Sequence, residues 1–171
     1  AKAILGGSEG VLLIDAAAGI GCQVISSLTG AQLALLVAEP TPASFSDLKR
    51  IHKLTKHFMI APMLVINKYD LNPGFVNVIE GYARENSIPV MGRVPYDDAV
   101  PKSLAELRPL ILAYPDSPAA KAIRAVAERI AAEVLPRWRD WYMRYAPKRP
   151  EPYVPIIRRG GEEGKSGGST Q

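Results

Sequence analysis

Four short apolar runs along the chain each stop at a polar or turn residue. Residues 11–14 (Val-Leu-Leu-Ile) end at Asp15, Leu33–Ala38 at Glu39-Pro40-Thr41, residues 63–66 at Asn67, and residues 88–94 at Pro95-Tyr96-Asp97. Runs that are apolar on both faces predict buried parallel strands. Between them the period lengthens. Phe45, Leu48, Ile51, His52 and Leu54 recur at helical spacing, with Lys49, Arg50, Lys53 and Lys56 on the other faces. That pattern predicts an amphipathic helix capped by Thr41 or Ser44. Phe75, Val78, Ile79 and Tyr82 form the stripe of the next helix, with Asn72 as N-cap and Pro73 at its first position. Shorter helices are predicted over 24–28, closed by Gly30, and over 98–107. Residues 110–114 predict a short fifth strand. Ser117-Pro118 opens an alanine-rich helix that runs to about residue 134 or past Pro136. Strands alternating with helices every roughly 25–30 residues give the βαβ rhythm, so the expected fold class is α/β, a parallel sheet with flanking helices.

Composition narrows the class. With 171 residues, 47% of them hydrophobic, the chain can bury a sizeable core. One cysteine, Cys22, excludes a disulfide framework or a cysteine-ligated metal or cluster site built from this chain alone. Cys22 itself reads as a small packing residue. No apolar run reaches the roughly 20 residues of a membrane span, and no signal peptide opens the sequence, so the expected compartment is the cytoplasm. The first residue is Ala1, which fits a chain that begins part-way through a longer protein.

The net charge of +4 is local. Residues 1–136 carry 13 basic and 13 acidic side chains, whereas residues 137–159 carry seven basic groups against Asp140 and Glu151. The basic character therefore says little about partners of the main domain. Pro147, Pro150, Pro152 and Pro155 break regular structure, and 160–168 is a Gly, Glu and Ser run that cannot build a core. The expected division is an α/β domain over 1–146 and a tail over 147–171. Gly164-Lys165-Ser166 is no phosphate loop, because Arg159 stands where the motif needs glycine and no strand precedes it.

In open α/β sheets ligands lie beyond the carboxyl ends of the strands, and here each of those ends carries chemistry. Asp15, followed by small residues up to Gly19, can hold Mg²⁺ through water beside a nucleotide's phosphates, while Gly19 lets the backbone approach the γ-phosphate. An aspartate that only caps a turn is the plainer alternative. Asn67-Lys68-Tyr69-Asp70 fits the Asn-Lys-x-Asp pattern that reads a nucleotide base. The asparagine amide donates and accepts, the lysine stem lies along the ring, and an aspartate accepts from the amino and imino groups of guanine. His52 and His57 are five apart, a poor spacing for joint ligation, and read as surface or boundary residues. Trp138, Trp141, Tyr142 and Tyr145 interleave with Arg137, Arg139 and Arg144. They can stack on nucleic acid, but the same spacing is that of a helix packing on the domain, the reading we favour.

The run Ile14-Asp15-Ala16-Ala17-Ala18-Gly19-Ile20-Gly21-Cys22-Gln23-Val24-Ile25 resembles the Walker B and switch II region of MinD/ParA-type P-loop ATPases, in particular the subgroup with a ferredoxin-like iron–sulfur insertion. Val37-Ala38-Glu39-Pro40-Thr41-Pro42, Asp47-Leu48-Lys49-Arg50, Val65-Ile66-Asn67-Lys68 and Gly92-Arg93-Val94-Pro95-Tyr96-Asp97 continue the resemblance in order, over about residues 9 to 130. It departs where the family has a proline after the Walker B aspartate and this chain has Ala16-Ala17-Ala18. The phosphate loop, the switch I aspartate and the cysteine-rich insertion lie upstream in the family and have no counterpart here.

The resemblance implies the C-terminal half of an ATPase. Asp15 would assist Mg²⁺ and Gly19 would sense the γ-phosphate, as catalytic residues. Asn67, Lys68, Asp70, Pro95 and Tyr96 would form the base site. The implied cofactors are ATP and Mg²⁺, with an iron–sulfur cluster only through the absent region. Without a phosphate cradle, the chain alone is expected to be inactive. Expected partners are a nucleotide and either a second copy or the missing half, with no membrane span and no nucleic acid. A GTPase reading guanine through Asn67 and Asp70, or a non-catalytic split subunit acting by association, are the alternatives.

Overall fold

A computed structural model describes residues 10–16 and 21–152. Gly19 and the tail from residue 153 onward, with its Arg158, Arg159 and glycine run, lie outside the described residues. The element order is α1 (Cys22–Leu28), β1 (Leu33–Ala38), α2 (Pro42–His57), β2 (Ala61–Asn67), α3 (Pro73–Glu85), β3 (Val90–Val94), α4 (Ala99–Ala105), α5 (Leu110–Ala113), α6 (Pro118–Arg129) and α7 (Trp138–Tyr145). The strands form a parallel three-stranded sheet in the order β1-β2-β3, as the βαβ rhythm predicts. Leu33 pairs with Ala61, and Ala38 with Ile66.

Three helices begin with the same device. Thr41, Asn72 and Ser117 each accept, through the side chain, a backbone N–H three residues on, at 3.2, 3.0 and 3.2 Å, and a proline follows each cap. Each cap is worth about 1 kcal/mol and the proline costs nothing there, since its missing N–H would be an orphan.

Central β2 is buried on both faces. Leu64 and Ile66 join Leu36 and Ala38 of β1 under Leu48 of α2 and Val76, Ile79 and Ala83 of α3. Met63 and Val65, with Met91 and Val94 of β3, pack against Ala119 and Val126 of α6, with Val134 and Trp141 beyond. At β1 this second face is open: Leu35 and Val37 are 43% and 62% exposed.

Five expectations need correction. Residues 11–14 form no strand; Val11, Leu12, Leu13 and Ile14 are all exposed. A strand exists only by pairing, and among the described residues none lies beside this run. Residues 110–114 are the helix α5, not a fifth strand: Pro109 accepts the N–H groups of Leu112 and Ala113, both at 2.9 Å. Cys22 is exposed at the start of α1 instead of packed. His52 is only 2% exposed. The alanine-rich helix does not run on smoothly but loosens into a π turn over Ile130–Val134 and a 3₁₀ turn over Leu135–Arg137, because Pro136 cannot continue the α-helical ladder.

The packing reading of the aromatic segment holds. Trp141 lies against the second core, and the Tyr142 hydroxyl donates to the Met59 carbonyl at 2.9 Å.

Candidate functional site

The carboxyl ends of β1, β2 and β3 lie side by side, and carboxylates link them in strand order. From Glu39, after β1, Oε1 meets Lys68 Nζ, after β2, at 2.8 Å. From the same loop, Asp70 Oδ1 accepts the Tyr96 N–H, after β3, at 2.7 Å. Asp97 then accepts the N–H groups of Ala99 at 2.8 Å and Ala119 at 2.9 Å, tying this loop to the starts of α4 and α6. Those N–H groups, Ala119 first, hold the Asp97 carboxyl below the usual aspartate range. Hydrogen bonding to the neighbouring Asp98, with its charge, pushes the Tyr96 hydroxyl above its ordinary value.

The β2 loop turns at a single non-glycine residue. Lys68 is left-handed (φ 52°, ψ 40°), which reverses the chain after Asn67 into the short 3₁₀ turn Tyr69–Leu71. That reversal sets Asn67 at the end of β2, opposite Val94 at the end of β3.

Between these two strand ends opens a cleft of about 520 Å³. Asn67, Lys68, Pro95, Tyr96 and Asp97 line one side; Val100, Leu104, Arg108, Leu110 and Ile123 are among the residues lining the rest. Asn67 and Lys68 are half-buried, and no group among the described residues hydrogen-bonds to the Asn67 amide. An amide without a partner at the rim of a cleft can both donate to and accept from the polar edge of a ligand.

Of the five residues expected at a base site, four line this cleft. Asp70 does not; it stands behind, holding Tyr96. Asp15 is exposed in a segment without regular structure, and Gly19 lies outside the described residues. Among the described residues no group of three His, Cys, Asp or Glu side chains is placed to hold a metal ion. Nor is any helix there long and apolar enough to cross a membrane. The apolar wall from α4 to α6 was not assigned from the sequence. Its signal is the spacing of Val100 and Leu104, four apart on one helix face.

No family model matches the chain. It is 32% identical over 120 residues to an uncharacterized ATP-binding protein of Methanocaldococcus jannaschii, a match covering 70% of this chain and 46% of that protein. It is 32% identical over 135 residues to the antiactivator FleN of Pseudomonas aeruginosa, covering 74% of this chain and 48% of FleN. The cytosolic Fe-S cluster assembly factor NUBP2 of Bos taurus is 33% identical over 113 residues, covering 58% and 41%. Among solved structures, the cell division ATPase MinD of Pyrococcus furiosus superposes with a TM-score of 0.57 at 25% identity, over 68% of this chain and 49% of MinD. The septum site-determining protein MinD of Pyrococcus horikoshii, complexed with Mg-ADP, gives 0.64 at 22% identity, over 78% and 56%. The chain spans about half the length of the curated relatives it matches. Its parallel sheet and flanking helices are those of the MinD-like P-loop NTPase fold.

Proposed function

We propose that this chain is the base-binding and switch side of a MinD/ParA-type ATPase, and that the whole protein binds and hydrolyses ATP. The observation that carries the reading is the partnerless Asn67 amide at the rim of the cleft between β2 and β3. An asparagine amide can pair with the N6 and N7 edge of adenine. Val100, Leu104 and Ile123 would sandwich the ring. Asp15 would hold Mg²⁺ through water, and Gly19 would meet the γ-phosphate. When bound, Mg²⁺ with cationic loop residues would neutralise the charge of phosphoryl transfer.

Residues 10–152 contain no glycine-rich loop ending in Lys-Ser or Lys-Thr, so the phosphate cradle of this reading comes from another segment or another polypeptide. Association with that cradle, or with a second copy, belongs to the proposal. So does a coupling of hydrolysis to iron–sulfur chemistry, which the similarity to NUBP2 supports.

Equilibrium binding of a fluorescent ATP analogue to the whole protein tests the base site. Asn67→Ala is expected to weaken binding by about 1–2 kcal/mol, the cost of base hydrogen bonds left unmade. Unchanged affinity in a folded Asn67→Ala variant would remove Asn67 from the site.

A further inference from the structure

Most of the polar side chains that line the cleft between β2 and β3 are engaged within the protein. Lys68 Nζ meets Glu39 Oε1 at 2.8 Å, and the Asp97 carboxylate holds the Ala99 and Ala119 N–H groups. The Ser103 hydroxyl donates to the Val100 carbonyl at 2.8 Å, and the Tyr96 hydroxyl is bound to Asp98. Among the described residues lining the cleft, Asn67 and Arg108 are left for a ligand. Arg108 is brought there by the turn that ends α4. Leu107 is left-handed (φ 53°); its N–H donates to the Leu104 carbonyl at 3.1 Å, and the Arg108 N–H donates to the Ser103 carbonyl at 3.0 Å. The paired bonds close the helix and fix the Arg108 backbone. The side chain is held loosely. Its guanidinium is 3.8 Å from Glu106 Oε2, and with both side chains exposed the pair contributes little. Glu106 has a second partner in the Tyr114 hydroxyl, so its carboxylate stays hydrogen-bonded when Arg108 turns to a ligand.

We propose that Arg108 is a further ligand-binding residue of this cleft, whose guanidinium lies flat on the face of a bound base while Asn67 takes the edge. This rests on the nucleotide-binding reading above and adds a residue that reading does not use. The two available groups stand on different walls, Asn67 at the end of β2 and Arg108 in the link between α4 and α5. Beside Arg108 the lining is aliphatic, with Leu104, Leu110 and Ile123. In such surroundings a planar, weakly hydrated cation is drawn to the π-electrons of a ring face and can stack on it, which a compact ammonium cannot do. The contact reads no hydrogen-bonding edge, so it adds affinity without choosing between bases.

The test is equilibrium binding of ATP to the whole protein, with Arg108→Ala, Arg108→Lys and Arg108→Tyr beside the parent. Thermal melting verifies that each variant folds. Arg108→Ala is expected to weaken binding about fivefold, the loss of one ring-face contact at a partly exposed site. Arg108→Tyr, flat and uncharged, is expected to recover most of that loss. Arg108→Lys, charged but not flat, is expected to recover less than tyrosine does, a split that a merely structural role would not give. Parental affinity in Arg108→Ala overturns the proposal while nucleotide binding stands. Recovery by lysine beyond that by tyrosine overturns it in favour of a charge contact with phosphate. Equal loss in all three overturns it in favour of a two-pronged hydrogen bond that only a guanidinium makes. A parent that does not bind ATP brings down the underlying reading, and this proposal with it.

Discussion

Gly92 of β3 and Val126 of α6 approach so closely that a Cβ on Gly92 would lie 2.5 Å from Val126 Cγ2. The contact brings α6 down onto the sheet beside the cleft. Valine is branched at Cβ and cannot swing aside within a helix. Gly92→Ala is therefore expected to destabilise the fold by about 1–3 kcal/mol through overpacking. Val126→Ala costs stability on its own by leaving a void, but in the double variant each change should relieve the other. Urea denaturation of the four proteins forms a double-mutant cycle, and strict additivity would show that the two side chains do not meet.

His52 gives a prediction in pH. It is buried in α2, its Nδ1 is 2.7 Å from the Tyr82 hydroxyl, and the Phe45 and Tyr82 rings stack edge to face beside it. Burial, and then the charge of Lys56, lower its pKa to about 4, with Glu151 opposing weakly. Above about pH 6.5 the ring is neutral in the folded and unfolded chain alike, and stability is at its full value. As pH falls from 6.5 toward 4, the unfolded chain takes up a proton that the folded chain refuses, and stability declines by up to about 3 kcal/mol. His52→Gln cannot titrate, so its stability should fall less over the same window. Parallel pH curves for the two proteins would rule out the mechanism.

Asp97 is the more economical test of the loop framework. Its two oxygens hold the first N–H groups of two helices, so Asp97→Ala leaves both donors unserved at a cost of about 1–3 kcal/mol. Asp97→Asn retains one acceptor and should cost less. Amide hydrogen exchange at Ala99 and Ala119 should speed up in the alanine variant. Unaltered protection at both amides would mean that the helix starts are held some other way.

Features encoded within a few residues were legible in the sequence. Thr41-Pro42, Asn72-Pro73 and Ser117-Pro118 opened helices where expected, because a cap and its N–H are three residues apart. The strands of the sheet were legible for a similar reason, as continuous apolar runs. Residues 11–14 have the same composition, yet pairing depends on a neighbour and not on the run itself. Residues 110–114 were ambiguous in principle, since four apolar residues fit a strand or a buried turn of helix equally well. The placement of Asn67, Lys68, Pro95 and Tyr96 around one cleft followed from strand ends alone. What sequence could not supply is the use Asp70 makes of its carboxylate, which depends on where a loop 26 residues away comes to rest.

The two borders of the sheet are unlike. At β3 the Arg129 guanidinium donates to the Val90 and Met91 carbonyls, both at 3.1 Å, so that border is already engaged. At β1 no strand follows among the described residues, and Leu35 and Val37 stand exposed on the same strand. Among the described residues the border beside β1 is thus the less engaged of the two and the one more open to a further strand. Two copies joined border to border there would use up both free borders at once. Such an assembly ends at a closed pair and cannot propagate into a fibre, because the joining surface is the same on each copy and nothing is left over to recruit a third.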